Sequence, residues 1–126
     1  MNHTAITSSQ APAAIGPYSQ AIAFGDAVYT SGMLPLDAEG NLAEGIVDQT
    51  HQILTNLRAV LAEAGLSLND VVKTTVFMTD LAQFQRMNEV YGQYFSDHHP
   101  ARTTVEVSGL PRDAGIEIEL IAVKRV

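Results

Sequence analysis

The chain contains no cysteine. Disulfides, thiolate metal sites and a cysteine nucleophile are thereby excluded, and the compartment is left undetermined by that absence. Basic residues are scarce. Seven Lys and Arg stand against fourteen Asp and Glu, a net charge of −7, and the seven are scattered. A basic patch for nucleic acid is not expected. No apolar run approaches bilayer-spanning length, and Met1 to Gln10 has neither the basic start nor the apolar stretch of a leader. No membrane contact and a cytoplasmic location are the expectation. Ser, His and Asp are present, yet no Gly-x-Ser-x-Gly elbow exists to support a serine hydrolase. His51 has no second ligand four residues on, and His98-His99 falls in a loop, so no metal site is expected. Internal repeats and low-complexity segments are also missing.

What remains is globular in composition, 46% hydrophobic and 17% charged over 126 residues, enough for one domain (residues 1–126) with a single core. Residues 1–14 are small and polar and read as an irregular arm. Ile15-Gly16-Pro17-Tyr18-Ser19-Gln20 is a Gly-Pro turn that fixes where Tyr18 points. Residues 21–24 and 27–31 predict a hairpin about Gly25-Asp26. Residues 32–45 read as a loop with a short strand near Leu42. Over residues 46–64, Ile46, Thr50, Ile53, Leu54, Leu57 and Leu61 recur at helical spacing, and Gly65 is placed to end the helix. Residues 71–78 are rich in β-branched side chains and predict a central strand. Asp80 can cap a second helix over 81–95, whose stripe is Leu81, Phe84, Met87, Asn88, Tyr91 and Phe95.

The last quarter organises the rest. Two strand-like runs, 102–107 and 116–123, flank a turn containing Gly109, Pro111 and Gly115. Ile116, Ile118, Leu120 and Ala122 form an apolar row, and Glu117, Glu119, Ile121 and Val123 form a mixed one. With the runs paired as an antiparallel hairpin and Thr103, Val105 and Val107 beside the apolar row, Thr104 lies opposite Glu119. Arg102 is then one diagonal step from Glu119. The expected class is α/β in the α+β sense: one mixed sheet with two helices packed on one face. The other face stays bare and partly apolar, which predicts closed cyclic self-association.

These motifs resemble the reactive-intermediate/imine deaminase family (Rid, YjgF-type) over nearly the whole chain. The carriers are Ile15 to Ala21, Thr30-Ser31-Gly32, Val72 to Phe77, Met87-Asn88-Glu89-Val90-Tyr91, Pro100 to Val107 and Ile116 to Glu119. The resemblance implies a chorismate-mutase-like fold and a homotrimer with sites between subunits. It also implies hydrolysis of 2-imino acids (2-aminoacrylate/2-iminopropanoate, 2-iminobutanoate), released by pyridoxal-phosphate enzymes, to 2-keto acids and ammonia. By motif, Arg102 matches the residue that binds the substrate carboxylate, Glu119 the glutamate closing Ile-Glu-Ile-Glu, and Tyr18 the family's aromatic. Ser31, Gly32, Asn88 and Thr104 complete the substrate-binding set. Many members carry Cys where Thr104 stands and Gln where Met33 stands, which bears on substrate range.

The chemistry needs a carboxylate anchor, an activated water and proton delivery to nitrogen, and no cofactor. The planar fork of Arg102 suits the anchor, and Glu119 suits the water. Tyr18, from a neighbouring subunit, can close the pocket. Spacing alone reads Arg102 and Glu119 first as a structural ion pair, Tyr18 as packing, Asn88 as a structural hydrogen-bonder and Ser31 as a strand end. Glu106 and Glu117 read as solvated or interface charges. Two other functions fit the same residues: a non-catalytic module binding small carboxylates, and a trimeric interaction or chaperone-like protein.

Overall fold

The computed structural model describes residues 2–125. Six strands form one sheet: β1 (His3–Ile6), β2 (Ala21–Phe24), β3 (Ala27–Thr30), β4 (Val71–Met78), β5 (Ala101–Glu106) and β6 (Ile116–Val123), in the order β1-β2-β3-β6-β4-β5. Helices α1 (Gly45–Glu63) and α2 (Phe84–Tyr94) pack on one face of it. The mixed α+β architecture expected from the sequence is therefore the one observed.

Strand position follows burial. The apolar row Ile116, Ile118, Leu120 and Ala122 of β6 and the row Thr74, Val76 and Met78 of β4 are fully covered by the helices. Strands that bury a whole row belong in the middle. No residue of β5 is buried, so it takes an edge. α1 supplies Ile53, Leu54, Leu57, Val60 and Leu61 to this core, none of them solvent-accessible. It ends as expected: Gly65 at φ 74° lets its own N–H reach Ala62 O and that of Leu66 reach Leu61 O.

The predicted C-terminal hairpin is absent. β5 runs parallel to β4 with Thr74 beside Arg102, and β6 runs antiparallel to β4 with Thr75 beside Glu119. β4 stands between the two runs. The reason lies in the connections: β4 and β5 are joined through α2, a helical crossover that permits parallel pairing, while residues 107–115 step across the end of β4. The face assignment of β5 inverts too. Arg102 and Thr104 share the helix-covered face with Thr74 and Val76, and Thr103 and Val105 point to the open face.

Two smaller expectations also change. The arm includes β1, an edge strand paired to β2 and with only Ile6 buried, so its sequence carries no alternation to read. The second helix begins with a separate tight turn, Leu81–Gln83, capped by Asp80 Oδ1 accepting from Ala82 N at 3.0 Å. Leu81 precedes the helical register and is 41% exposed. Its N–H donates to Glu106 Oε1 at 2.8 Å, so Glu106 is engaged in ordering the start of α2.

The uncovered face carries Tyr29 (47% exposed), Val105 (38%), Val123 (36%) and a half-covered Ile121. No helix among the described residues is long and apolar enough to cross a membrane.

Candidate functional site

Three segments converge at the end of the β3–β6 pair. The turn at 15–18 is tied down by Gln20, whose Nε2 donates to Pro12 O (2.8 Å) and Ser8 O (3.2 Å) while its Oε1 accepts from Ser8 N (2.6 Å). Gln20 is buried, and these bonds satisfy it fully. Ser31 Oγ donates to Ser19 O at 2.6 Å and Ser31 N to Gln20 O at 3.0 Å, fixing the end of β3 beside that turn. Beyond it, Met33 N donates to Ile118 O at 2.8 Å. The loop that follows is held from below by buried Asn56 of α1, whose Nδ2 donates to Leu36 O at 2.8 Å.

This bracing opens a cleft of about 450 Å³ lined by Ile15, Tyr18, Ser31, Gly32, Leu34, Pro111 and Glu117. The Glu117 carboxylate lies directly over Gly32: a Cβ at position 32 would overlap it. Only glycine leaves room for the acid there. Burial pushes the Glu117 carboxyl above the usual carboxylate range, and the negative charge of Glu119, two residues along the same row, pushes it further in that direction. The group is half-buried and has no cation to hold it ionised among the described residues. A half-buried carboxyl raised in this way is a candidate to take up and return a proton during a reaction. Tyr18 is exposed at the rim, and its hydroxyl accepts from Ile15 N at 3.2 Å.

Arg102 lies elsewhere. It borders a groove of about 440 Å³ with Asn88, Tyr91, Gly92, Phe95, His99 and Pro100. Its guanidinium carbon sits 4.8 Å from the Tyr91 ring centroid and 5.5 Å from that of Phe84. Thr104, two residues on in the same row, keeps a buried Oγ1 with no hydrogen-bond partner. Glu119 occupies a third depression on the open face, with Tyr29, Thr30, Lys73, Thr75 and Ile121.

The sequence-derived set is thus divided. Tyr18, Ser31 and Gly32 come together, Arg102 and Asn88 come together, and Glu119 joins neither group. The shared face of Arg102 and Glu119 is corrected by the observed register, because their side chains point to opposite faces with β4 between them. Glu117, read from sequence as a solvated or interface charge, is the acid in the Tyr18 cleft. Both glutamates of Ile-Glu-Ile-Glu share one row, so alternation cannot choose between them. The usable signal was Gly32, a residue with no side chain at a strand end, which marks a close approach.

Among the described residues no three His, Asp or Glu side chains lie close enough to hold a metal ion. His51 Nδ1 lies 2.8 Å from Tyr94 Oη, and His98 Nε2 lies 2.8 Å from Val71 O, so both rings are engaged in structural hydrogen bonds.

The Endoribonuclease L-PSP family model, which covers the YjgF/Rid proteins, matches residues 8–124. The chain belongs to the Rid family. It is 48% identical over 124 residues to the 2-iminobutanoate/2-iminopropanoate deaminase of Salmonella typhimurium, covering 95% of this chain and 97% of that one. A putative endoribonuclease of Thermotoga maritima superposes with a TM-score of 0.95 at 51% identity, covering 98% of each chain. Escherichia coli TdcF with bound serine superposes with a TM-score of 0.93 at 43% identity, covering 97% of this chain and 99% of that one. The Rid assignment rests on nearly the full length, with both the Tyr18 turn and the Arg102 strand inside the matched span.

Proposed function

We propose that this Rid protein hydrolyses 2-imino acids of the 2-iminopropanoate and 2-iminobutanoate kind to 2-keto acids and ammonia. It does so in clefts between subunits of a homotrimer. Arg102 of one copy supplies the carboxylate anchor, and Tyr18, Ser31, Gly32 and Glu117 of the next copy supply the reacting side. The observation that carries the reading is the division of the site. Arg102 and the Glu117 cleft open separately on one chain, and the sheet presents an open face with Tyr29, Ile121 and Val123 through which copies can join. The deaminase relative at 48% identity supports the reaction class.

The chemistry balances on Glu117 alone. As the water oxygen bonds to C2 of the iminium, the Glu117 carboxylate takes a water proton and passes it to the nitrogen. The resulting carbinolamine then breaks its C–N bond, the hydroxyl becomes the keto oxygen, and its proton leaves with ammonia as ammonium. Glu117 returns to its starting state. Glu119 acts through its charge, adding to the effect of burial in raising the Glu117 carboxyl. Arg102 meets the substrate carboxylate with a bidentate fork.

A dehydratase that generates 2-aminoacrylate in the cuvette provides the test. Keto-acid release accelerated by the protein, and lost in Arg102→Ala and Glu117→Gln, is the expected result; no acceleration by the parent protein overturns the reading. A non-catalytic carboxylate-binding role is favoured by one observation, the serine bound in TdcF. Under that role Glu117→Gln leaves keto-acid binding unchanged, and the parent protein has no turnover to lose. Nuclease activity finds no support in a chain of net charge −7 with scattered basic residues.

A further inference from the structure

Among the described residues, no carboxylate lies within ion-pair distance of Arg102, and no protein acceptor takes a hydrogen bond from its guanidinium. An arginine without hydrogen-bonding partners carries rotamer freedom that binding an anion would have to freeze. A neighbouring Asp or Glu would hold the group still, but would occupy the same fork that an incoming carboxylate needs. An aromatic face holds it differently: the ring attracts the cation from one side and leaves the in-plane N–H donors free.

Tyr91 provides that face, and it is itself fixed. Its hydroxyl lies 2.7 Å from Thr74 Oγ1, with both residues buried, and its ring packs on Phe95 at a centroid distance of 4.7 Å. Thr74 is also the β4 residue paired with Arg102 in the parallel register. The contacts close a triangle. Thr74 holds Tyr91 through its side chain, Tyr91 carries the guanidinium, and the backbone of Arg102 runs alongside Thr74. Three elements, β4, α2 and β5, meet at this one cation. Burial raises the Tyr91 hydroxyl pKa, so the phenol stays protonated and keeps its bond to Thr74 through the neutral range.

We propose that Tyr91 is a positioning residue for Arg102: its ring, pinned to β4 by Thr74, is the shelf that presents the guanidinium to a small 2-keto or 2-imino carboxylate. This rests on the reading of Arg102 as the carboxylate anchor. Neither Tyr91 nor Thr74 need touch the ligand, and their effect passes through Arg102 alone.

The experiment titrates the full-chain protein with pyruvate and, separately, with pyruvamide, which lacks the carboxylate. Tyr91→Leu removes the π face and is expected to weaken pyruvate about tenfold, the scale of a partly desolvated cation–aromatic contact. Pyruvamide binding should not change. In an Arg102→Ala background the Tyr91→Leu change should have no further effect on pyruvate. Thr74→Val and Tyr91→Phe keep the shape and remove the pin, and each should cost pyruvate about threefold. They carry the test if Tyr91→Leu does not fold. Equal weakening of both ligands, or no weakening of pyruvate where Arg102→Ala does weaken it, overturns the shelf and leaves the anchor standing. Pyruvate binding unaffected by Arg102→Ala overturns the anchor, and the shelf falls with it.

Discussion

Gly32→Ala tests the role of Glu117 without altering the acid itself. The new Cβ would stand 2.7 Å from Glu117 Cδ, closer than the 3.4 Å at which ordinary contact begins. The backbone at Gly32 is not in the left-handed region, so alanine brings no strain of its own there. The obstruction is the far end of a flexible side chain, so the carboxyl swings aside and the fold is kept. Loss of unfolded-state freedom on replacing glycine stabilises by about 0.4–1 kcal/mol, which offsets most of the disturbance. The thermal midpoint should therefore move by no more than about 3 °C. Activity is another matter. A reacting group displaced by about 1 Å loses on the order of a hundredfold in rate. A displacement of more than half an ångström should lower kcat/KM for imine hydrolysis roughly ten- to a hundredfold. Glu119 lies in a different depression and is untouched by the change. Full activity in Gly32→Ala, in the dehydratase-coupled assay, would refute the assignment of Glu117 as the proton-transfer group.

The remaining predictions are shorter. Glu117 has a folded-state pKa raised above 4.5, so its contribution favours the fold at low pH and is lost as pH rises through the folded pKa. Glu117→Gln should accordingly melt higher than the parent at pH 7, with the gap closing as pH falls below 4.5; a gap that widens toward acid would contradict the burial argument. Asp70 behaves in the opposite sense. Its pKa is lowered first by the Ser67 backbone N–H and then by Arg125, so its contribution is present above 3.8 and disappears as pH falls through the folded value. Asp70→Ala removes a capping box and should destabilise by about 1 kcal/mol in urea titrations. Arg125→Ala, from a side chain 70% exposed, should cost about 0.5 kcal/mol or less. Ile121→Lys puts a charge on the uncovered sheet face. It should yield a smaller particle in sedimentation together with lost deaminase activity; retained activity in a monomer would remove the intersubunit site.

Local patterns were legible wherever one side of an element is buried. The stripe Ile53, Leu54, Leu57 and Leu61, the Gly65 terminus, the hairpin about Gly25 and the row Ile116 to Ala122 all follow from period and turn chemistry, and all are present. Membership of the Rid family was also readable, because its motifs are local strings of residues. Strand neighbours were not. β5 and β6 are consecutive runs separated by a turn, and nothing in their alternation says that β4 lies between them. That order arises because two fully buried rows compete for the centre of one sheet and the weakly buried strand is left at the edge. The same competition turned Arg102 toward the helices and onto Tyr91, and took Glu119 away from it. The choice between Glu117 and Glu119 was likewise tertiary: both sit on one face, and only the approach of Gly32, from a segment more than eighty residues earlier, singles out the first.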